Sequence, residues 1–187
     1  LKMQSIIINN NYNSRRAYGD SKIKRSQEIF AEAIRKTNPD AKIQGKIADI
    51  ELDTKKSTDL VFRIDGQEYY SGLRNRKSDC TCRDFTIRRS YYGSTNSEAK
   101  KIHNTDFYIY TWGDDCEEYV VINMNKVKEN NLIKKYKNSQ YIPNVDDGNH
   151  FFSIPLNELY YKGCIIAYSE SLEPYMNGYD ESDDMWD

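Results

Sequence analysis

The sequence predicts a mixed α/β (α+β) fold, a central sheet flanked by helices, and three observations predict it. Apolar residues recur at helical spacing from about Lys22 to Lys36, the period changes to two from Ile43, and Asp65-Gly66 sits between two alternating runs as a hairpin signal. A chain of 187 residues suits one domain with a real core and is short for two. Residues 1–179 are therefore assigned to one domain, and the acidic residues 180–187 to a tail expected to be disordered.

After the Asn-rich lead Asn9 to Asn13, Asp20-Ser21 is placed to cap the first helix. Ile23, Phe30, Ala33 and Ile34 form its apolar stripe, with Lys22, Lys24, Arg25 and Arg35 largely outside it. Asn38-Pro39-Asp40 ends it, because the residue before a proline is pushed out of the helical region. Ile43, Gly45 and Ile47 read as a strand continuing through Ile50 and Leu52, and Thr54 to Ser57 as a charged turn. Leu60, Phe62 and Ile64 lead into the hairpin, and Gln67 to Arg76 return from it.

A two-residue loop pairs Leu60 with Ser71 and Arg63 with Glu68, and sets Asp59 opposite Gly72. Leu60, Phe62, Tyr69, Ser71 and Leu73 then face the core, while Asp59, Val61, Arg63, Glu68, Tyr70, Gly72, Arg74 and Arg76 occupy the other side. Asp84 to Arg88 and Asp106 to Trp112 read as strands with a short helix, Ser97 to Ile102, between them. Tyr119 to Met124 is a strand, and Asn125 caps a helix whose end carries Lys134, Lys135 and Lys137. Phe151 to Ile154 and Cys164 to Tyr168 are the last strands, joined through a turn or short helix at Pro155 to Leu159.

The net charge of −2 conceals a polarity along the chain. Residues 1–101 hold 21 Lys and Arg against 13 Asp and Glu, whereas residues 102–187 hold 6 against 16. A basic half suits a phosphate backbone, DNA ahead of RNA. The acidic half and tail suit a protein partner, with Met185 and Trp186 as apolar anchors. No apolar run approaches the roughly 18 residues of a membrane span, and the start lacks the apolar segment of a secretion signal. A cytoplasmic location with Cys80, Cys82, Cys116 and Cys164 reduced is the expectation. Cys80-x-Cys82 is too tight for the usual zinc pair, His103 and His150 have no triad or metal spacing, and Gly66, Gly72 and Gly93 are too isolated to form a phosphate loop.

The segment from Thr58 to Arg76 resembles the core hairpin of the PD-(D/E)XK nuclease superfamily, in which an aspartate opens one strand and an acid and a lysine follow on the next. Arg74-Asn-Arg76 followed by Phe85-Thr-Ile-Arg88 is similar to a phage-associated branch. The resemblance implies a restriction-endonuclease-like fold, with Asp59 at the metal-binding aspartate, Gly72 at the second acid and Arg74 at the lysine. Gly72 brings no carboxylate to a Mg²⁺ or Mn²⁺ site, and arginine clamps phosphate but does not deprotonate water. Glu28, Glu68, Asp79, Asp84 and Glu98 are the acids that could stand in.

The candidate catalytic residues are thus Asp59, Glu68 and Arg74, with Asp59 the metal ligand. The candidate nucleic-acid contacts are Arg74, Arg76, Lys77, Arg83, Arg88 and Arg89, with Lys100 and Lys101 nearby and Tyr69, Tyr70, Tyr91 and Tyr92 interleaved for base stacking. The leading expectation is a nucleic-acid-associated phage or mobile-element protein with a nuclease-like fold and an altered centre. The alternatives are an active metal-dependent endonuclease that borrows an acid for Asp59, and a counter-defence inhibitor of a host nuclease or nucleic-acid-binding complex.

Overall fold

The computed structural model describes residues 21–49, 51, 58–90, 98–139, 142–143 and 150–177. Helix α1 (Ile23–Thr37) turns Ser26, Ile29, Phe30 and Ala33 inward. Lys22 stands at its N-cap and has no oxygen to offer, so the helix starts without a side-chain cap. Ser21 precedes that N-cap, and Asp20 lies outside the described residues.

Strands β1 (Ile43–Ile47), β2 (Leu60–Ile64) and β3 (Gln67–Arg76) form an antiparallel meander. The hairpin has the predicted register, Leu60 against Ser71 and Arg63 against Glu68. Its two loop residues have φ of 50° at Asp65 and 91° at Gly66, as a type I′ turn requires. β1 stops at Ile47; Ile50, Leu52 and the turn at Thr54 to Ser57 lie outside the described residues.

β3 serves two partners. Up to Ser71 it pairs with β2, and from Ser71 to Arg76 it pairs in parallel with a later strand. Parallel neighbours need a crossover, supplied here by β4 (Phe85–Ser90), helix α2 (Glu98–Lys101) and a 3₁₀ turn at Ile102–Asn104, which return the chain to β5 (Phe107–Trp112). β6 (Glu118–Asn123) runs antiparallel to β5. Helices α3 (Met124–Glu129) and α4 (Leu132–Ser139) follow, with Asn131 at φ 55° between them. The cap of α3 is Asn123 rather than Asn125: its side-chain oxygen accepts from the Asn125 and Lys126 amides. The remaining elements are β7 (Ile142–Pro143), β8 (His150–Ile154), α5 (Leu156–Tyr161), β9 (Ile165–Tyr168) and α6 (Glu173–Met176).

The main sheet has the order β1-β2-β3-β5-β6-β9, and a smaller sheet has the order β4-β8-β7. Both faces of the main sheet carry core. On one face α1 packs down, with Phe30 stacked on Phe62 at 3.9 Å beside Leu60, Ile109 and Val121. On the other, Tyr108, Tyr110 and Trp112 of β5 meet Phe85 and Ile87 of β4 and Phe152 and Ile154 of β8. The period of two divides β5 between them: Ile109 goes to the helix side, its tyrosine neighbours to the small sheet. The far side of the hairpin is therefore partly interior, and Val61 and Gly72 are buried. Among the described residues no helix is long and apolar enough to cross a membrane.

Candidate nucleic-acid interface

Asp59 sits where β2 begins. Its amide donates to the Ser71 carbonyl, and its Oδ2 accepts the Leu73 amide at 2.6 Å. The carboxylate thus supplies an acceptor just beyond the point where β2 and β3 stop pairing. Asp106 does the same for the Tyr70 amide from the start of β5, at 2.9 Å. Gly72 lies between these positions on β3 and pairs with Tyr108. A β-carbon at Gly72 would stand 2.4 Å from Cε2 of the Tyr108 ring, well inside contact distance. The space beside Gly72 is therefore filled by an aromatic ring lying on bare backbone.

The Tyr108 hydroxyl donates to Glu98 Oε1 at 2.8 Å. Glu98, brought in by α2, also accepts from the Arg74 Nη2 with both oxygens, at 2.8 and 2.7 Å, and its Oε2 accepts the Arg88 amide at 2.9 Å. Arg74 completes its fork by donating to the carbonyl and hydroxyl of Thr86 on β4. The two side chains retain 21% and 12% of their exposure. Burial pushes the Glu98 carboxyl upward, but Arg74, the Arg88 amide and the Tyr108 hydroxyl outweigh it and hold the group below its ordinary value. Tyr108 is driven well above the usual tyrosine range, by burial first and then by the negative field of Glu98. Arg74 remains permanently cationic: the Glu98 carboxylate more than offsets the desolvation that opposes its charge.

Arg76 lies on the same face, donating Nε to the Tyr110 hydroxyl at 2.9 Å and Nη2 to the Thr86 hydroxyl at 2.9 Å, with its cation 5.9 Å from the Tyr110 ring centre. Thr86 and Tyr110 are themselves bonded at 2.8 Å. Arg74, Arg76 and Arg88 thus gather around Glu98 and Thr86 at the junction of the two sheets. Lys77 is exposed just past the end of β3. Arg83 is drawn elsewhere: it is ion-paired with Glu118 at 2.6 Å, lies 5.4 Å from the Trp112 ring centre and donates to the Cys80 carbonyl. It anchors the loop between β3 and β4. The side chain of Arg89, along with Tyr91, Tyr92 and the 180–187 tail, lies outside the described residues.

Of the stand-in acids, Glu68 pairs with Arg63 at 3.0 Å, as its register predicts. It stands four residues along β3 from Gly72, roughly 13 Å at strand rise, too far to share an ion with Asp59. Glu28 pairs with Arg25 on the exposed side of α1 and Asp79 is exposed. Asp84 is pushed upward by burial, partly relieved by the Ser153 hydroxyl. Glu98 alone reaches the centre, and both of its oxygens are already engaged by cationic or N–H and O–H donors. Among the described residues no three His, Cys, Asp or Glu side chains are grouped to hold an ion. Tyr108, Tyr110 and Thr86 were not foreseen as part of this site; the available signal was a bulky residue beside a strand glycine, but the parallel register that joins them is not written in either segment.

No family model, curated protein or solved structure matches the chain.

Proposed function

We propose that the chain is a nucleic-acid-associated protein of phage or mobile-element type, built on a nuclease-like scaffold whose catalytic position is closed. The observation that carries the proposal is the Tyr108 ring seated on Gly72, with its hydroxyl bonded to a glutamate that Arg74 already neutralises. A Mg²⁺ ion needs carboxylate oxygens with lone pairs to spare; here the two Glu98 oxygens accept four hydrogen bonds from three donors, and one Asp59 oxygen accepts a strand amide. The aspartate opening β2, the hairpin and the mixed sheet flanked by helices are what the PD-(D/E)XK resemblance implies, and they support the scaffold half of the proposal.

In this role Arg74 is a strut between β3, β4 and α2, while Arg76, Lys77 and Arg88 contact phosphate from the rim of the junction. Hydroxyl partners at Thr86 and Tyr110 orient the Arg76 guanidinium in advance, which lowers the ordering cost of gripping an anion. The test has two arms. Plasmid nicking with Mg²⁺ or Mn²⁺ should be absent, with Asp59→Asn indistinguishable from the unaltered protein; cleavage abolished by Asp59→Asn would establish the endonuclease instead. Duplex DNA binding measured by anisotropy across a salt series should weaken in the triple variant Arg76→Ala, Lys77→Ala, Arg88→Ala. Its log–log salt slope should flatten by about 0.9 for each phosphate that is no longer neutralised. An unchanged slope would refute the assigned phosphate-binding side chains.

A further inference from the structure

The acidic half carries a surface that the nucleic-acid role leaves unused. Tyr160 and Tyr161, at the end of α5, are 40% and 70% exposed; with Ile47 they are the exposed large hydrophobics among the described residues. The Tyr160 ring meets Tyr161 at 6.0 Å and Tyr168 of β9 edge-on at 5.8 Å. Tyr161 donates to the Asn177 carbonyl at 3.3 Å, joining α5 to the end of α6. Three tyrosines from two elements thus form one continuous aromatic patch.

Carboxylates follow it in the chain. Glu170 and Glu173 are exposed on the segment after β9, and the Tyr168 hydroxyl titrates above its ordinary value through loss of solvent, then Tyr160, then Glu173. Residues 156–187 contain eight Asp and Glu against a single lysine, Lys162, and five of those acids follow Asn177. Aromatic faces edged by carboxylates suit guanidinium and ammonium groups, which stack on the ring while pairing with the acid. We infer that Tyr160, Tyr161 and Tyr168, with Glu170 and Glu173, dock a basic, arginine-bearing segment of a partner protein.

Charge favours this occupant over two others, the chain's own tail and a second copy. Residues 178–187 repeat the sign of the patch, and an apolar self-contact would have to bring two such acidic surfaces together. The test uses the full chain and a fluorescein-labelled nona-arginine peptide, followed by anisotropy at about physiological salt, where screening acts beyond roughly 8 Å. Glu170→Gln with Glu173→Gln should weaken binding at least threefold, and Tyr161→Ala about tenfold. Tyr161 is the more exposed ring, so its removal spares the fold; an unchanged melting temperature checks this, and Tyr161→Phe should restore most of the affinity.

Equal binding by Tyr161→Ala would reduce the interaction to general charge attraction and overturn the inference. Tighter peptide binding by Trp186→Ala would do the same, by making the tail the natural occupant. So would concentration-dependent dimerisation abolished by Tyr161→Ala. None of these measurements involves DNA, so they stand or fall apart from the proposed nucleic-acid role.

Discussion

Removing Glu98 tests whether the Arg74 pair is a strut or a surface contact. In Glu98→Ala the Arg74 guanidinium stays largely enclosed, keeping only its Thr86 bonds, while the Tyr108 hydroxyl and the Arg88 amide are left without their acceptors. Breaking one partner of a buried pair costs about 3–5 kcal/mol. For a domain of this size, at roughly 2–4 °C per kcal/mol, the melting temperature should fall by about 6–20 °C. Urea unfolding is the direct assay, with the midpoint shifting and the slope unchanged. Replacing both partners, Arg74→Met with Glu98→Leu, should restore much of the stability because no charge is left stranded. A cost below about 1 kcal/mol for Glu98→Ala, the range of an exposed ion pair, would refute the strut.

Three other outcomes follow from the same geometry. Gly72→Ala should cost about 1–3 kcal/mol through overpacking against the Tyr108 ring, and Gly72→Glu should fail to create metal-dependent cleavage in a nicking assay. The pH profile of unfolding should fall at both ends. The depressed Glu98 contributes stability that is complete above the ordinary glutamate value of 4.5 and is lost as pH falls through the folded value, so Glu98→Gln should flatten the acid limb. The raised Tyr108 contributes stability complete below its ordinary 10.0 and lost as pH rises toward the folded value, so Tyr108→Phe should flatten the alkaline limb. Iodoacetamide near pH 8 should alkylate the exposed Cys82 first. Cys116 and Cys164 should react only on unfolding, since both are buried and burial pushes the Cys164 thiol up to about 11.

Local signals carried the meander and failed where distant segments meet. Asp65-Gly66 determines its own turn and therefore the register, which is why Asp59 arrives beside Gly72 and Leu73 and Glu68 beside Arg63 as predicted. Ile23, Phe30 and Ala33 likewise carry their helix, although its start is uncapped. The Phe85-Thr-Ile-Arg88 strand was legible as a strand, but its departure into a second sheet with β8 is fixed by residues about sixty positions later. That departure buries the polar side of β3. It turns Arg74, an exposed phosphate clamp by sequence, into an interior group requiring Glu98.

On the proposed nuclease-like scaffold, glycine at position 72 and the internal Arg74–Glu98 pair are physically linked. A metal centre needs carboxylate lone pairs facing the ion, which then balances their charge. Here a glycine lets the Tyr108 ring close on the backbone, and the space above it goes to Glu98 with its arginine as the built-in counter-ion. Opening the site to magnesium would strand Arg74 without its partner, at the same few kcal/mol that Glu98→Ala measures. If the proposed nuclease-like scaffold is right, cleavage would be opposed by fold stability as well as by the acid that Gly72 does not supply, and replacing Gly72 with an acid addresses only the second of these.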